Sequence, residues 1–168
     1  MPIVDALLPE FEHEMANTRR YLERVPEAHF TWKPHPKSRS LGALAQHLAE
    51  IPANVVRTME TDAFEAGAPG GPPPRPAVGS RAELLEIFER NVAAAKGKLQ
   101  GASDEDMMRA WTFSFKGHKV FTLPKAAALR AIVFNHTIHH RGQLGVYLRQ
   151  RDVPLPAIYG PTADEPVS

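Results

Sequence analysis

The sequence predicts an all-α protein built on four helices, and three observations lead there. Four segments carry apolar residues at helical spacing. A Pro/Gly-rich stretch, Ala66 to Gly79, separates the second from the third and is far longer than a turn between antiparallel helices. The last segment holds the run His136-Thr137-Ile138-His139-His140-Arg141-Gly142-Gln143-Leu144, with three of the protein's eight histidines. The 168 residues fit one domain, residues 1–168, with an ordinary buried core.

The first helix is expected from about Ile3 to Arg24, with Leu7, Leu8, Phe11, Met15, Tyr21 and Leu22 as its apolar side and Pro26 as its stop. A polar stretch with Trp32, Pro34 and Pro36 follows. Ser40 is the expected N-cap of a second helix, Leu41 to about Asp62, whose apolar side is Leu41, Leu44, Leu48, Ile51, Val55 and Met59. Pro52 should kink or break it. The Ala66–Gly79 stretch reads as an extended, semi-rigid connection. At about 3.1 Å per residue it can return along a 20-residue helix of roughly 30 Å, so helices two and three are expected to be joined by a parallel crossover.

Ser80 and Glu83 form the expected capping box of the third helix, which carries Leu84, Leu85, Phe88, Val92 and Leu99 and stops at Gly101. Trp111 to Phe115 alternates apolar and polar residues, Lys116-Gly117-His118 offers a turn, and Val120-Phe121 a return strand. A short hairpin is therefore expected before the last helix. That helix should begin near Leu123 or Pro124 and run to about Arg149. The tail, with Pro154, Pro156, Gly160, Pro161 and Pro166, is irregular.

Each helical residue advances about 100°. With His136 at zero, Leu129, Ile132, Val133, Leu144 and Tyr147 fall in one arc from roughly −40° to +80°. His140 lies inside that arc at about 40° and Gln143 at about −20°, whereas His139 sits at its edge near −60°. Imidazoles and an amide in an apolar stripe need partners. Hydrogen bonds to neighbouring helices are one answer. A single metal ion shared by His136 and His140, stacked one turn apart, is the other.

His47, on the flank of the second helix's apolar arc, reads alone as a boundary histidine and in combination as a third ligand. Three imidazoles would leave a coordination position open, which suits a catalytic rather than a structural ion. Neutral imidazoles suit zinc, nickel, copper or iron. Glu50, three residues after His47, reads as a partner supporting the ligands or, by preference, as an ordinary exposed charge, and His13, His29, His35 and His118 as surface or loop residues.

Composition narrows the function classes. With no cysteine there is no disulfide, thiolate ligand or cysteine nucleophile in this polypeptide. A net charge of +1 gives no broad footprint for nucleic acid, and Arg19-Arg20 and Arg149-Gln150-Arg151 read as solvated helix surface. No apolar run reaches membrane-spanning length and no signal-peptide pattern opens the chain, so the cytoplasm is the expected location.

Trp32-Lys33-Pro34, Ser40-Leu41-Gly42-Ala43-Leu44-Ala45-Gln46-His47-Leu48, His136-x-x-x-His140-Arg141-Gly142-Gln143-Leu144 and Tyr159-Gly160-Pro161-Thr162-Ala163-Asp164, in that order, resemble the DinB/YfiT-like superfamily of metalloenzymes. The resemblance spans almost the whole chain. It implies a four-helix bundle with an up-down-down-up course and homodimers. It also implies one divalent metal, Ni2+ or Zn2+ foremost and Fe2+ or Mn2+ as alternatives, on His47, His136 and His140. Characterised members include thiol transferases using bacillithiol and isomerases using mycothiol.

The expected function is that of a divalent-metal-dependent enzyme. A low-molecular-weight thiol, activated at the ion, would attack a small electrophile, with Gln143 orienting a ligand or bound water. A hydrolase with metal-activated water uses the same ion, and a non-catalytic metal-binding stress-response domain is the remaining reading. The expected partners are a small-molecule substrate and a second copy of the chain, with neither nucleic acid nor membrane.

Overall fold

In the computed structural model, residues 1–68, 70 and 76–166 are described. The chain is mostly helical and carries a small three-stranded sheet, so the all-α expectation is corrected. Helix α1, Ile3–Leu22, buries Leu7, Phe11, Met15, Tyr21 and Leu22 as its periodicity predicts. After a 3-10 turn at Glu27–His29, the chain enters α2, Leu41–Glu50. The Ser40 side chain accepts from the Ala43 N–H and caps that helix. The entry loop fixes its start, because Leu41 N–H donates to the Trp32 carbonyl at 2.8 Å and Gly42 N–H to the Phe30 carbonyl at 2.9 Å. Gly42 permits this close approach: a Cβ would stand 3.0 Å from the Phe30 side chain and carbonyl oxygen, a crowded contact.

Pro52 divides the expected second helix into α2 and α3, Ala53–Glu60, because it has no N–H to continue the ladder. The chain then forms a strand that the sequence reading missed, β1, Ala63–Ala66. Much of the predicted extended connection, Pro69 and residues 71–75, lies outside the described residues. Where the described chain resumes, Gln46 holds it against α2: its amide donates to the Pro76 carbonyl and its Oε1 accepts from Val78 N–H.

Helix α4, Arg81–Gln100, starts at Ser80, whose hydroxyl accepts from Glu83 N–H. The Glu83 carboxylate reaches past the cap to Gly79 N–H, so the expected box is displaced by one residue. A short helix that was not expected, α5, Asp104–Met108, carries a full capping box between Ser103 and Asp106.

The predicted hairpin is present and longer than expected: β2, Ala110–Phe115, pairs antiparallel with β3, His118–Pro124. Strand β1 adds in parallel on the other side of β2, with Phe64 beside Phe113. The expected fourth helix is interrupted. It comprises α6, Lys125–Leu129, a π-helical turn at Arg130–Phe134, and α7, Asn135–Arg149. Helices α1 and α2 each pack on both α4 and α7 around a core that includes Phe11, Leu44, Leu48, Phe88 and Leu144.

The C-terminal tail is irregular but held. Glu165 pairs with Arg20 and Arg24, and Asp164 with Arg149, so these arginines are not simply solvated. A deeper tie fixes α7 to α1. The Arg141 side chain is 2% exposed and that of its partner Glu14 8%. The guanidinium donates to a Glu14 carboxylate oxygen at 2.6 Å, to the Glu14 carbonyl at 3.0 Å and to the Thr18 hydroxyl at 3.1 Å. Tyr159 of the tail completes the set, its hydroxyl donating to Glu14.

Breaking a buried pair leaves the remaining charge without compensation. Arg141→Ala should therefore lower stability by about 3–5 kcal/mol in urea unfolding, while a double Glu14→Leu, Arg141→Met variant should lose distinctly less.

Candidate metal centre

The centre is built where α2 passes α7. His47 stands in the last turn of α2, and His136 and His140 lie one turn apart near the start of α7. The structure brings these three together: one ligating nitrogen from each lies within 4.8 Å of the others. The Nε2 atoms of His47 and His136 are 3.2 Å apart. Two nitrogens held 2.0–2.1 Å from one tetrahedral ion would stand about 3.3 Å apart, so this spacing fits a shared metal.

The far side of two rings is already engaged. His136 Nδ1 faces the Ile132 carbonyl at 3.3 Å, and His140 Nδ1 faces Gln143 Oε1 at 2.8 Å. Both partners are acceptors, so each Nδ1 carries the hydrogen and each Nε2 keeps its lone pair for the shared space. His139 is exposed and outside the cluster, although its ring lies against His140. His13, His35 and His118 are exposed and His29 is half-buried, all away from the cluster.

Electrostatics agree with a neutral donor set. Burial, followed by the positive charge of Arg39 and the neighbouring imidazoles, pulls His47 down to about 3. Burial likewise lowers His136, with His140 adding to the effect, and lowers His140 against the opposing hydrogen bond from Gln143. Imidazoles that stay unprotonated near neutral pH keep their lone pairs available to a cation.

Two cavities meet at His47. One, of about 210 Å³, is polar and includes Glu50, Asn54 and Arg57; Glu50, expected to be an ordinary exposed charge, thus lies on the wall of the site. The other, of about 300 Å³, reaches from His47 and His136 to Asn54, Phe64, Trp111 and Phe113. Sequence reasoning missed Asn54, Phe64 and Phe113 as residues of the site. A helical-period pattern around Pro52 and an alternating pattern around Trp111 were both visible, but neither says which helix the sheet will face.

A family model described as the DinB superfamily matches residues 10–144. The uncharacterized protein YrdA of Bacillus subtilis strain 168 is 25% identical over 170 aligned residues, covering 96% of this chain and 91% of that one. Among solved structures, a DinB-like protein of Bacillus cereus ATCC 10987 superposes with a TM-score of 0.69 at 22% identity, covering 92% of this chain and 97% of that one. The DinB-like protein YjoA of Bacillus subtilis gives 0.67 at 18%, covering 91% and 96%. Among the described residues, no helix is long and apolar enough to cross a membrane.

The lowered histidine values have a signed consequence for stability. Below about pH 6.5 the unfolded chain takes up protons that the folded centre refuses. Stability is therefore fullest above that value and is lost as the pH falls toward the folded His47 value of about 3. In chelator-treated protein, the urea midpoint should fall between about pH 7 and pH 5, above the range where most carboxylates titrate. His47→Gln should flatten that fall.

Proposed function

This chain belongs to the DinB superfamily, and we propose that it is a divalent-metal-dependent enzyme whose ion sits on His47, His136 and His140. The supporting observation is the convergence of three neutral imidazoles from two helices beside two cavities. A site meant only to fasten helices would be closed by protein donors, whereas this one borders space for a ligand. Nickel or zinc is the proposed metal, in keeping with the imidazole donors. A divalent ion supplies Lewis acidity there, lowering the pKa of a thiol or water brought to it.

The chain's own residues do the rest. Gln143 holds the His140 ring through Nδ1, and the Ile132 carbonyl does the same for His136, so the rings need little reorganisation on binding a cation. Trp111, Phe64 and Phe113 exclude water on one side of the centre. The proposed reaction is transfer of a low-molecular-weight thiol to a small electrophile. The sulfur loses its proton and bonds to carbon, and the leaving group departs with its electron pair. The lack of cysteine makes an external thiol the natural sulfur source. Hydrolysis would use the same site.

The architecture proposed with this function is a single domain, residues 1–168, in which α1, α2–α3, α4 and α6–α7 form an up-down-down-up bundle. A cytoplasmic homodimer is proposed with it.

Elemental mass spectrometry on the untagged protein tests the centre. The wild type should carry about one metal ion per chain, and His136→Ala and His140→Ala, both still folded, should carry little. A metal-free wild type after reconstitution would leave only buried, hydrogen-bonded histidines. Gln143→Leu should keep the fold and weaken metal affinity by about 10–100-fold. A nickel-loaded protein should change its visible spectrum on addition of bacillithiol.

A further inference from the structure

The larger cavity at His47 has a particular chemistry. One face of the sheet presents Phe64, Trp111 and Phe113 to it. Phe64 and Phe113 stand side by side on paired strands, with ring centroids 6.3 Å apart and planes 19° apart. Trp111 and Phe113, two residues apart on β2, also lie at 6.3 Å, with planes 4° apart. Three aromatic rings with near-parallel planes thus line the cavity together. The Trp111 N–H is already used on the Thr61 hydroxyl at 3.1 Å, so the indole turns no polar atom to the cavity. Ile132, from the π-helical turn, also lines the cavity.

The polar lining groups are few: His47, His136 and Asn54. The Asn54 carbonyl oxygen accepts from Arg57, whose guanidinium stacks 4.1 Å from the centroid of the Phe64 ring. Held that way, Asn54 offers its amide N–H group, not its oxygen, to a ligand. The cavity is therefore lined mostly by apolar and aromatic side chains, with a hydrogen-bond donor beside the imidazoles. About 150 Å³ suffices for a benzene, so 300 Å³ holds a ring with a short substituent.

Taking the metal reading above as its premise, we propose that this cavity binds the electrophilic reaction partner, an uncharged aryl carbonyl compound whose carbonyl carbon carries the leaving group. Its ring lies against Phe64, Trp111 and Phe113, and its carbonyl oxygen accepts from Asn54 next to His47. Phe64 and Phe113 set the size of ring admitted. An aliphatic carbonyl compound of the same polarity leaves the aromatic side chains uncovered.

Fluorine NMR titration of the 168-residue protein, with one equivalent of zinc added, tests this without any assay of turnover. The probes are 4-fluorobenzamide, fluoroacetamide and 6-fluoro-2-naphthamide. The wild type should bind 4-fluorobenzamide saturably and at least about tenfold more tightly than fluoroacetamide. Ala66→Phe fills the cavity from the edge strand and should lose that binding. Phe64→Ala enlarges it and should move the preference to the naphthamide. Circular dichroism confirms that each variant is folded. Absence of saturable binding to the wild type, equal binding of fluoroacetamide, or wild-type binding by both folded variants would overturn the assignment. Zinc measured on the same samples separates the two proposals. Probe binding without bound zinc overturns the metal reading alone, and bound zinc without probe binding overturns this one alone.

Discussion

The candidate centre depends on how closely α2 approaches α7. His47 comes from one helix and His136 and His140 from the other, and the 3.2 Å between two Nε2 atoms leaves no slack. A change of one residue in the rotation of either helix, about 100°, would carry its imidazoles away. The start of α2 is therefore fixed at several points. Ser40 caps it, the Trp32 and Phe30 carbonyls accept from its first free N–H groups, and Gly42 lets the Phe30 backbone come close. Trp32 in turn packs edge-on against Tyr147 of α7, with ring centroids 5.7 Å apart. The entry loop thus touches both helices that carry the three imidazoles. On α7 the residue after His140 is Arg141, buried against Glu14, so the histidine-bearing helix is anchored to α1 about 100° round from His140.

Much of this was legible in the sequence because it is local. The i, i+4 spacing of His136 and His140, the break at Pro52, the caps at Ser40 and Ser80 and the turn at Lys116-Gly117 follow from chemistry within a few residues. What was hidden depends on distant partners. Ala63–Ala66 is too short and too ordinary to announce a strand, and exists as one because β2 is there to receive it. The residues around Arg141 give no local sign that it is buried. Only the fold shows that Glu14, far away in sequence, meets it in the core. Lys125 is similar: its side chain is 2% exposed, and its ammonium donates to the Met59 carbonyl at the end of α3, a favourable place for a cation that no local pattern reveals.

The π-helical turn is the other feature that periodicity could not supply. Arg130–Phe134 sits immediately before the helix that carries His136 and His140. A strict 3.6-residue count from Leu129 to His136 assumes a regular helix throughout, and one wide turn shifts the register between the two halves. The wheel still grouped His136 with His140 because both lie beyond the interruption. The turn also presents Ile132 to the aromatic cavity while the Ile132 carbonyl meets His136 Nδ1. An irregularity in the helix therefore serves ring orientation and cavity shape together, the kind of position at which π-turns concentrate.

The sheet gives the histidines part of their character. Burial is the foremost cause of the lowered values at all three imidazoles, ahead of any neighbouring charge. Helices α2 and α7 alone would leave the rings on a groove open to water. Strands β1 and β2 place Phe64, Trp111 and Phe113 across that groove, and Trp111 is fully buried in doing so. Displacing water from one side raises the cost of an imidazolium more than that of an imidazole, which holds the donors unprotonated. The same wall lines the space beside the imidazoles. The short sheet is thus a working part of the centre: it keeps the nitrogens in the form that binds a cation and gives the neighbouring cavity its apolar shape.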